Sequence, residues 1–284
     1  MVEQENWGTG VLEGFRAALT AEERSANTVE KYLRDARAFL RFLGGRELGK
    51  EAVIAYKQRL TEDYRAASAN SMLAAVNQLL AFLGRRDCQV KLLRTQRRSF
   101  RQADRELTKE EYRRLLAAAE RGRNDRLLLL MQTICSTGLR VSEHRFITVE
   151  AVRQGHAQVC NKGRTREVFL PAQLKKMLLA YCRARGLERG PVFVTRAGNP
   201  LDRSNIWAEM KRLCGSAGVD SRKVFPHNLR HLFAVTYYRQ EKDIVRLADV
   251  LGHSSVETTR IYTATSGAEQ NRLISRLGLV GCSA

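Results

Sequence analysis

Tyr262 stands in the stretch Leu251-Gly252-His253-Ser254-Ser255-Val256-Glu257-Thr258-Thr259-Arg260-Ile261-Tyr262-Thr263, and Pro226-His227-Asn228-Leu229-Arg230-His231 lies upstream. A phenol that follows a helix-borne His/Arg pair and a second histidine has the components for attack on a phosphate. Such attack needs a nucleophile, donors for the non-bridging oxygens, a route for the nucleophile's proton, and a proton for the leaving oxygen. Tyr262 is the candidate nucleophile. Its ordinary pKa of about 10 calls for a neighbouring base or a cationic pocket.

The remaining parts can be assigned by residue type and position. Arg140 follows Thr137-Gly138-Leu139 and precedes Val141-Ser142-Glu143. The glycine breaks one helix and Arg140 sits near the start of the next, where free backbone N–H groups favour an anion. A guanidinium fork matches two phosphate oxygens. His227 and Arg230 are three apart on a helix opened by Pro226, so they share a face. Arg230 is then a second fork, and His227 can take or give a proton at neutral pH. Lys162, at the tip of a hairpin, can protonate a leaving 5′ oxygen. His253, at a helix boundary before a Ser254-x-x-Glu257 capping box, can donate to the phosphate. Taken singly, each has an ordinary structural explanation.

Helices must position these groups. Tyr32, Ala36, Phe39, Leu40 and Leu43 recur at helical spacing until Gly44-Gly45, with Asn27 and Glu30 as the start signal. Further helices are expected near 11–19, 50–61 and 68–83, making a four-helix bundle. Thr108-Lys109-Glu110-Glu111 is a capping box that opens a second domain. Helices there are expected over 127–134, 171–185, 202–214, 226–239, 242–251 and 254–263. A strand pair, 157–160 and 167–170, flanks the tip Asn161-Lys162-Gly163-Arg164, and 191–195 reads as a short strand. The expected fold is mainly α, with an N-terminal helical bundle over 5–86, a linker over 87–105 and a mostly helical domain with a small antiparallel sheet over 106–284.

Charge narrows the class of partner. The chain carries 49 Lys and Arg against 30 Asp and Glu, a formal charge of +19, of which residues 1–100 supply +5 and the rest +14. That excess favours a polyanion. Within the linker, the stretch from Lys91 to Arg105 concentrates Lys91, Arg94, Arg97, Arg98, Arg101 and Arg105 against one acid, Asp104, and reads as a strap across DNA phosphates. No apolar run approaches the ~18 residues that span a bilayer, and the start is acidic and polar, unlike a secretory signal. Six cysteines (88, 135, 160, 182, 214 and 282) are scattered with no C-x-x-C pair. They predict reduced thiols in a cytosolic protein, without a zinc site or disulfide framework.

In order, Arg140, Lys162, His227-x-x-Arg230, His253 and Tyr262 resemble the signature of the tyrosine recombinases, or phage-type integrases. Ser25-Ala26-Asn27-Thr28-Val29-Glu30-Lys31-Tyr32 with Asp35 and Phe39 resembles their core-binding domain. The resemblance covers nearly the whole chain and is nearest to the short, Xer-like members. It implies that Tyr262 attacks the scissile phosphate to form a 3′-phosphotyrosyl link, freeing a 5′ hydroxyl, with neither metal nor ATP nor other cofactor. Arg140 and Arg230 then hold the phosphate and Lys162 protonates the leaving oxygen. His227 assists proton transfer, His253 donates to the phosphate, and Glu143 and His231 support. It implies further a homotetramer acting on two double-stranded DNA sites through a four-way junction. Leu273, Ile274, Leu277 and Val280 form an apolar face that folds back on its own domain or docks on a neighbouring protomer. Asn161, where many relatives have glycine, and His144-Arg145, where an apolar residue is frequent, depart from the pattern. A type IB topoisomerase and a non-catalytic DNA-binding regulator are the alternatives. The sequence leaves open the target site and the choice between element mobility, inversion and dimer resolution.

Overall fold

The computed structural model describes residues 9–94, 105–161, 163–195, 197–263, 271–272 and 274–277. The chain divides into two compact units, Met1–Arg97 and Arg98–Ala284. The first holds four helices: α1 (Thr9–Ala21), α2 (Ala26–Leu43), α3 (Lys50–Asp63) and α4 (Ala66–Phe82). Phe15, Leu19, Leu33, Phe39, Leu43, Leu73, Leu79 and Leu80 fill its core. The start of α2 differs from expectation. Ser25 caps it, accepting from the Thr28 N–H at 3.3 Å. Glu30 pairs across with Arg16 on α1 at 2.6 Å and so does not reach back to a backbone N–H. Gly44 ends the helix in the left-handed region, as the Gly-Gly signal implied.

Two asparagines one heptad apart on α4 fasten the chain that follows. Asn77 gives Nδ2–H to the Val90 carbonyl and accepts the Val90 N–H, at 2.9 and 3.0 Å. Asn70 does the same for Leu93, at 2.9 and 2.7 Å. Each side-chain amide thus stands in for a strand neighbour and satisfies an extended backbone. Cys88 and Val90 join the first core, while Lys91 and Arg94 are exposed. Arg97, Arg98 and Arg101 lie outside the described residues.

The second unit comprises α5 (Lys109–Arg121), α6 (Asp125–Thr137), α7 (Val149–Gln154), strands β1 (His156–Asn161) and β2 (Arg164–Phe169), α8 (Ala172–Ala184), α9 (Arg203–Ala217), α10 (Pro226–Glu241), α11 (Ile244–Leu251) and the short α12 (Val256–Thr259). The mainly helical fold with one small antiparallel sheet is as expected. The capping box is present: Thr108 Oγ1 accepts from Glu111 N, and Glu111 accepts from Thr108 N. In the hairpin Ala157 faces Val168 and Val159 faces Arg166, with Asn161 opposite Arg164. Asn161 and Arg164 are therefore strand ends and not tip residues. Gly163 takes φ +74°, which spares the turn a Cβ, and Lys162 lies outside the described residues. The apolar run at 191–195 makes only isolated bridges, Thr148 with Pro191 and Val194 with Pro200. No described helix is long and apolar enough to cross a membrane.

Buried α6 anchors the unit. Leu127, Leu129, Leu130, Met131 and Ile134 are all interior. It ends at Gly138, φ +69°, where a Cβ would stand 2.5 Å from Phe233 Cδ1 and 3.0 Å from Leu251 Cδ2. Only glycine lets the chain turn there against α10 and α11. Gly138→Ala is expected to destabilise this unit by about 1–3 kcal/mol, from strained φ and overpacking. Hydrogen exchange of α6 and α10 amides in the full chain checks it; protection equal to wild type would show that the close approach carries no weight.

Candidate active site

Glu143 is the floor of the site. It is 1% exposed and accepts from five donors. These are Arg140 N at 2.8 Å, Arg140 Nη1 at 2.9 Å, Asn161 Nδ2 at 3.2 Å, and Arg166 Nη1 and Nη2 at 3.0 and 2.7 Å. Burial pushes its carboxyl up, but the Arg166 and Arg140 hydrogen bonds outweigh that and hold it at about 2. Arg140 does not open an α-helix with free N–H groups, as expected from the glycine. It precedes a six-residue 3₁₀ segment, Val141–Phe146, and its own N–H is taken by Glu143. Asn161 acquires a purpose here: its amide ties the hairpin end to Glu143, which glycine could not do. His144 turns inward against Phe193, ring centroids 6.4 Å apart, and gives its Nδ1–H to the Val141 carbonyl. Burial lowers its pKa, so the imidazole is neutral and packs as an apolar residue would.

Arg166 went unnoticed in the sequence. Its one signal is a cation on β2 at a position whose neighbours Val159 and Val168 face inward. Beyond Glu143, it gives Nε–H to the Val250 carbonyl at 3.2 Å. Gly252, φ +64°, makes room for it, because a Cβ would lie 2.7 Å from Arg166 Cδ.

Arg230 joins three chain segments. It sits on the second turn of α10, which Pro226 starts, and is 2% exposed. Nη1 donates to the Gly138 carbonyl at 2.6 Å. Nη2 donates to the Leu251 carbonyl at 2.7 Å and to His253 Nε2 at 2.9 Å. Desolvation and Arg140 lower its pKa to about 10, so it remains a cation at neutral pH. Arg140 Nη2 reaches the Gly252 carbonyl at 3.0 Å, so both arginines grip the turn before His253.

Because a guanidinium only donates, His253 Nε2 is an acceptor and its proton is on Nδ1. Nδ1–H goes to Thr259 Oγ1 at 2.9 Å. Thr259, fully buried, is thus a second residue missed by the sequence reading. Desolvation, then Arg230, Arg140 and Arg166, depress His253 to about 4. In this arrangement His253 has no free donor for a phosphate. His227 is likewise lowered, by burial and then by Arg230, Arg203 and Arg140. It lines a cavity of about 620 Å³ together with Arg140, Ser142, Arg203, Trp207 and Arg230.

Tyr262 does not ride a long helix. Ser255, not Ser254, caps α12, accepting from Glu257 N at 3.1 Å. The helix passes into a 3₁₀ turn, Arg260–Tyr262. The ring is 1% exposed, edge-on to His231 at 5.1 Å and stacked near His253 at 6.1 Å. Burial raises its pKa; Arg230, including a hydrogen bond, and Arg140 pull it down in part. His231 also approaches Glu106 at 3.8 Å. One site therefore gathers Arg140, His227, Arg230, His253 and Tyr262, with Glu143 and His231 beside them. Lys162 is outside the described residues, and Lys91 and Arg94 belong to the first unit. Among the described residues no group of three or more His, Cys, Asp or Glu could hold a metal ion.

The stability that Glu143 contributes follows its depressed pKa. It is fully present above the ordinary value of 4.5 and is lost as pH falls through about 2. Glu143→Gln is expected to cost about 3 kcal/mol at neutral pH, since it removes the buried counter-charge from the part-buried Arg166 and Arg140. Unfolding of both proteins between pH 7 and pH 2 tests this: the gap should narrow below 4.5, and a constant gap contradicts the ion-pair account.

Residues 105–269 match the phage integrase family, and residues 12–87 match the N-terminal SAM-like domain of phage integrases. The tyrosine recombinase XerA of Thermococcus kodakarensis is 30% identical, covering 94% of this chain and 97% of that one. The solved XerH recombinase bound to difH substrate superposes with a TM-score of 0.71 at 18% identity, covering 96% of each chain. A lambda integrase tetramer on a Holliday junction superposes with a TM-score of 0.72 at 18% identity, covering 89% of this chain and 76% of that one. With those matches and the gathered Arg140, His227, Arg230, His253 and Tyr262, the chain belongs to the phage integrase family and is a tyrosine-type site-specific recombinase.

Proposed function

We propose that Tyr262 cleaves and rejoins DNA at a phosphate held by Arg140 and Arg230. The convergence of these two guanidiniums, two neutral histidines and one phenol on the Arg230 hub carries this reading. The Tyr262 oxygen bonds to phosphorus as the bond to the 5′ oxygen breaks, leaving a 3′-phosphotyrosyl ester. The phenolic proton passes to His227, which is kept neutral by its surroundings and so is able to accept it. Lys162 supplies the proton for the departing 5′ hydroxyl. The ester retains the energy of the broken bond, so the 5′ hydroxyl of a partner strand can reverse the step without ATP. Glu143 and His231 position Arg140 and Tyr262, and the exposed Lys91 and Arg94, with Arg97, Arg98 and Arg101, contact phosphates along the strap.

The phenol is neutral and buried. A phosphate drawn to Arg140 and Arg230 supplies the charge those cations lack and brings the target to the ring. On a nicked suicide substrate carrying the natural site, the protein is expected to form a covalent adduct in EDTA. Tyr262→Phe should bind the same DNA and form none. An adduct formed by the Phe variant would show that another residue is the nucleophile.

The assembly proposed is a cytoplasmic homotetramer on two DNA sites, with the C-terminal segment docked on a neighbouring protomer. Ile274 and Leu277 are 56% and 62% exposed, whereas Leu273 and Val280 lie outside the described residues. Two exposed aliphatics one turn apart suit burial against a second chain. Removal of the residues after Ser266 should abolish tetramers on DNA and spare single-site binding in native gels; tetramers that persist would refute the docking.

A further inference from the structure

His144 and His253 each carry a proton on Nδ1, but what meets that proton differs. At His144 it is the Val141 carbonyl, which has no hydrogen to give back. That imidazole is therefore fixed in one tautomer. At His253 it is the hydroxyl of Thr259, 2.9 Å away. A hydroxyl has one hydrogen and two lone pairs and rotates to suit its partner. It can accept from Nδ1–H or donate to a bare Nδ1, so it serves either tautomer. The surroundings hold the ring itself in place. Arg230 grips the Leu251 carbonyl and Arg140 the Gly252 carbonyl, which pins the chain entering His253. Tyr262 lies nearly parallel to the ring, with 16° between the planes. A flipped ring would put a carbon where Nδ1 stands and strand the buried Thr259 hydroxyl. Nε2 accepts from Arg230 at 2.9 Å. A phosphate oxygen that takes that Arg230 hydrogen would face the Nε2 lone pair, and two acceptors repel. His253 must then present a hydrogen at Nε2. The imidazolium form is opposed by desolvation and by Arg230, Arg140 and Arg166.

We propose that Thr259 is a positioning residue that lets His253 change tautomer when the scissile phosphate arrives. Its hydroxyl turns from acceptor to donor at Nδ1, and Nε2–H becomes the donor to the phosphate. One proton is taken from water at Nε2 and one is returned to water from Nδ1, so the exchange leaves the charge of the site unchanged. His253 is thereby neutral both as the acceptor that Arg230 needs and as the donor that the phosphate needs. Thr259 touches no reacting atom. It closes α12 three residues before Tyr262, so the same hydroxyl ties the imidazole to the turn that carries the phenol. The proposal rests on the cleavage reading above.

The test uses the full chain, its five histidines labelled with nitrogen-15 and Tyr262→Phe introduced to stop cleavage. Nitrogen shifts tell a protonated ring nitrogen from a bare one, and a His253→Ala spectrum assigns the signals. The free protein should show His253 as Nδ1–H, and the protein on DNA carrying the natural site should show it as Nε2–H. A His253 that keeps its proton on Nδ1 when DNA is bound, or that holds both protons, overturns the proposal. Single-turnover adduct formation on the nicked substrate, with Tyr262 intact, is the second arm. Thr259→Val should be slowed about tenfold or more, and Thr259→Ser, which keeps the hydroxyl, should recover most of that loss. In a His253→Ala background Thr259→Val should add less than about twofold, because its effect passes through the imidazole. A valine variant as fast as wild type, a serine variant as slow as valine, or full additivity with His253→Ala each overturns the proposal. If Thr259→Val fails to fold, the nitrogen spectra of the Thr259 protein still decide. A wild type that forms no adduct overturns the cleavage reading, whereas an adduct formed with the His253 tautomer unchanged overturns the exchange alone.

Discussion

A buried guanidinium, that of Arg230, is the constraint on which the second unit turns. A cation taken out of water is costly unless acceptors and counter-charges replace its hydration. Here two backbone carbonyls and an imidazole nitrogen do so, and each comes from a different place: the end of α6, the end of α11 and the turn after it. Those three segments must meet within hydrogen-bond reach of α10 for the ion to be tolerated. The two left-handed glycines follow from this demand. Gly138 offers its carbonyl to Arg230 while leaving space for Phe233, and Gly252 leaves space for Arg166.

The charge balance of the site gives that architecture its chemistry. Arg140, Arg166 and Arg230 surround a single buried carboxylate, Glu143, so the cluster holds an excess of positive charge. The depressed pKa values of His227 and His253 are readings of that field, with desolvation as their larger cause. Such a surplus attracts an anion. Tyr262 lies within the same field but is sealed by His231 and His253, so its burial opposes the ionisation that the arginines favour. The phenol is thus held neutral beside the guanidiniums that would favour its ionisation.

The hairpin makes the clearest link between local structure and site. Its register sets Arg166 opposite Val159 and so points a cation inward, where Glu143 receives it. Asn161, the last residue of β1, reaches the same carboxylate. The sheet has only two strands, yet both of them reach Glu143, through Asn161 and Arg166.

Much of this was legible in the residues alone. Pro226 at the start of α10 and the three-residue step from His227 to Arg230 set a shared face by helical geometry. Gly44, Gly138 and Gly252 marked helix ends because few other residues take positive φ. Thr108 and Glu111 announced a helix start by reciprocal capping. These are local signals, carried by neighbours in the chain. What the sequence could not supply were partners distant along it. Arg166 finds Glu143 across 23 residues, and His253 finds Arg230 from the turn after another helix. The start of α2 slipped from Asn27 to Ser25 because Glu30 had a better partner on α1. The tautomer of His253, the sealing of Tyr262 and the asparagine clasp of Asn70 and Asn77 have the same origin. Hydrogen-bond satisfaction and burial are decided only when separate segments pack together, and spacing along a chain does not encode which of them will meet.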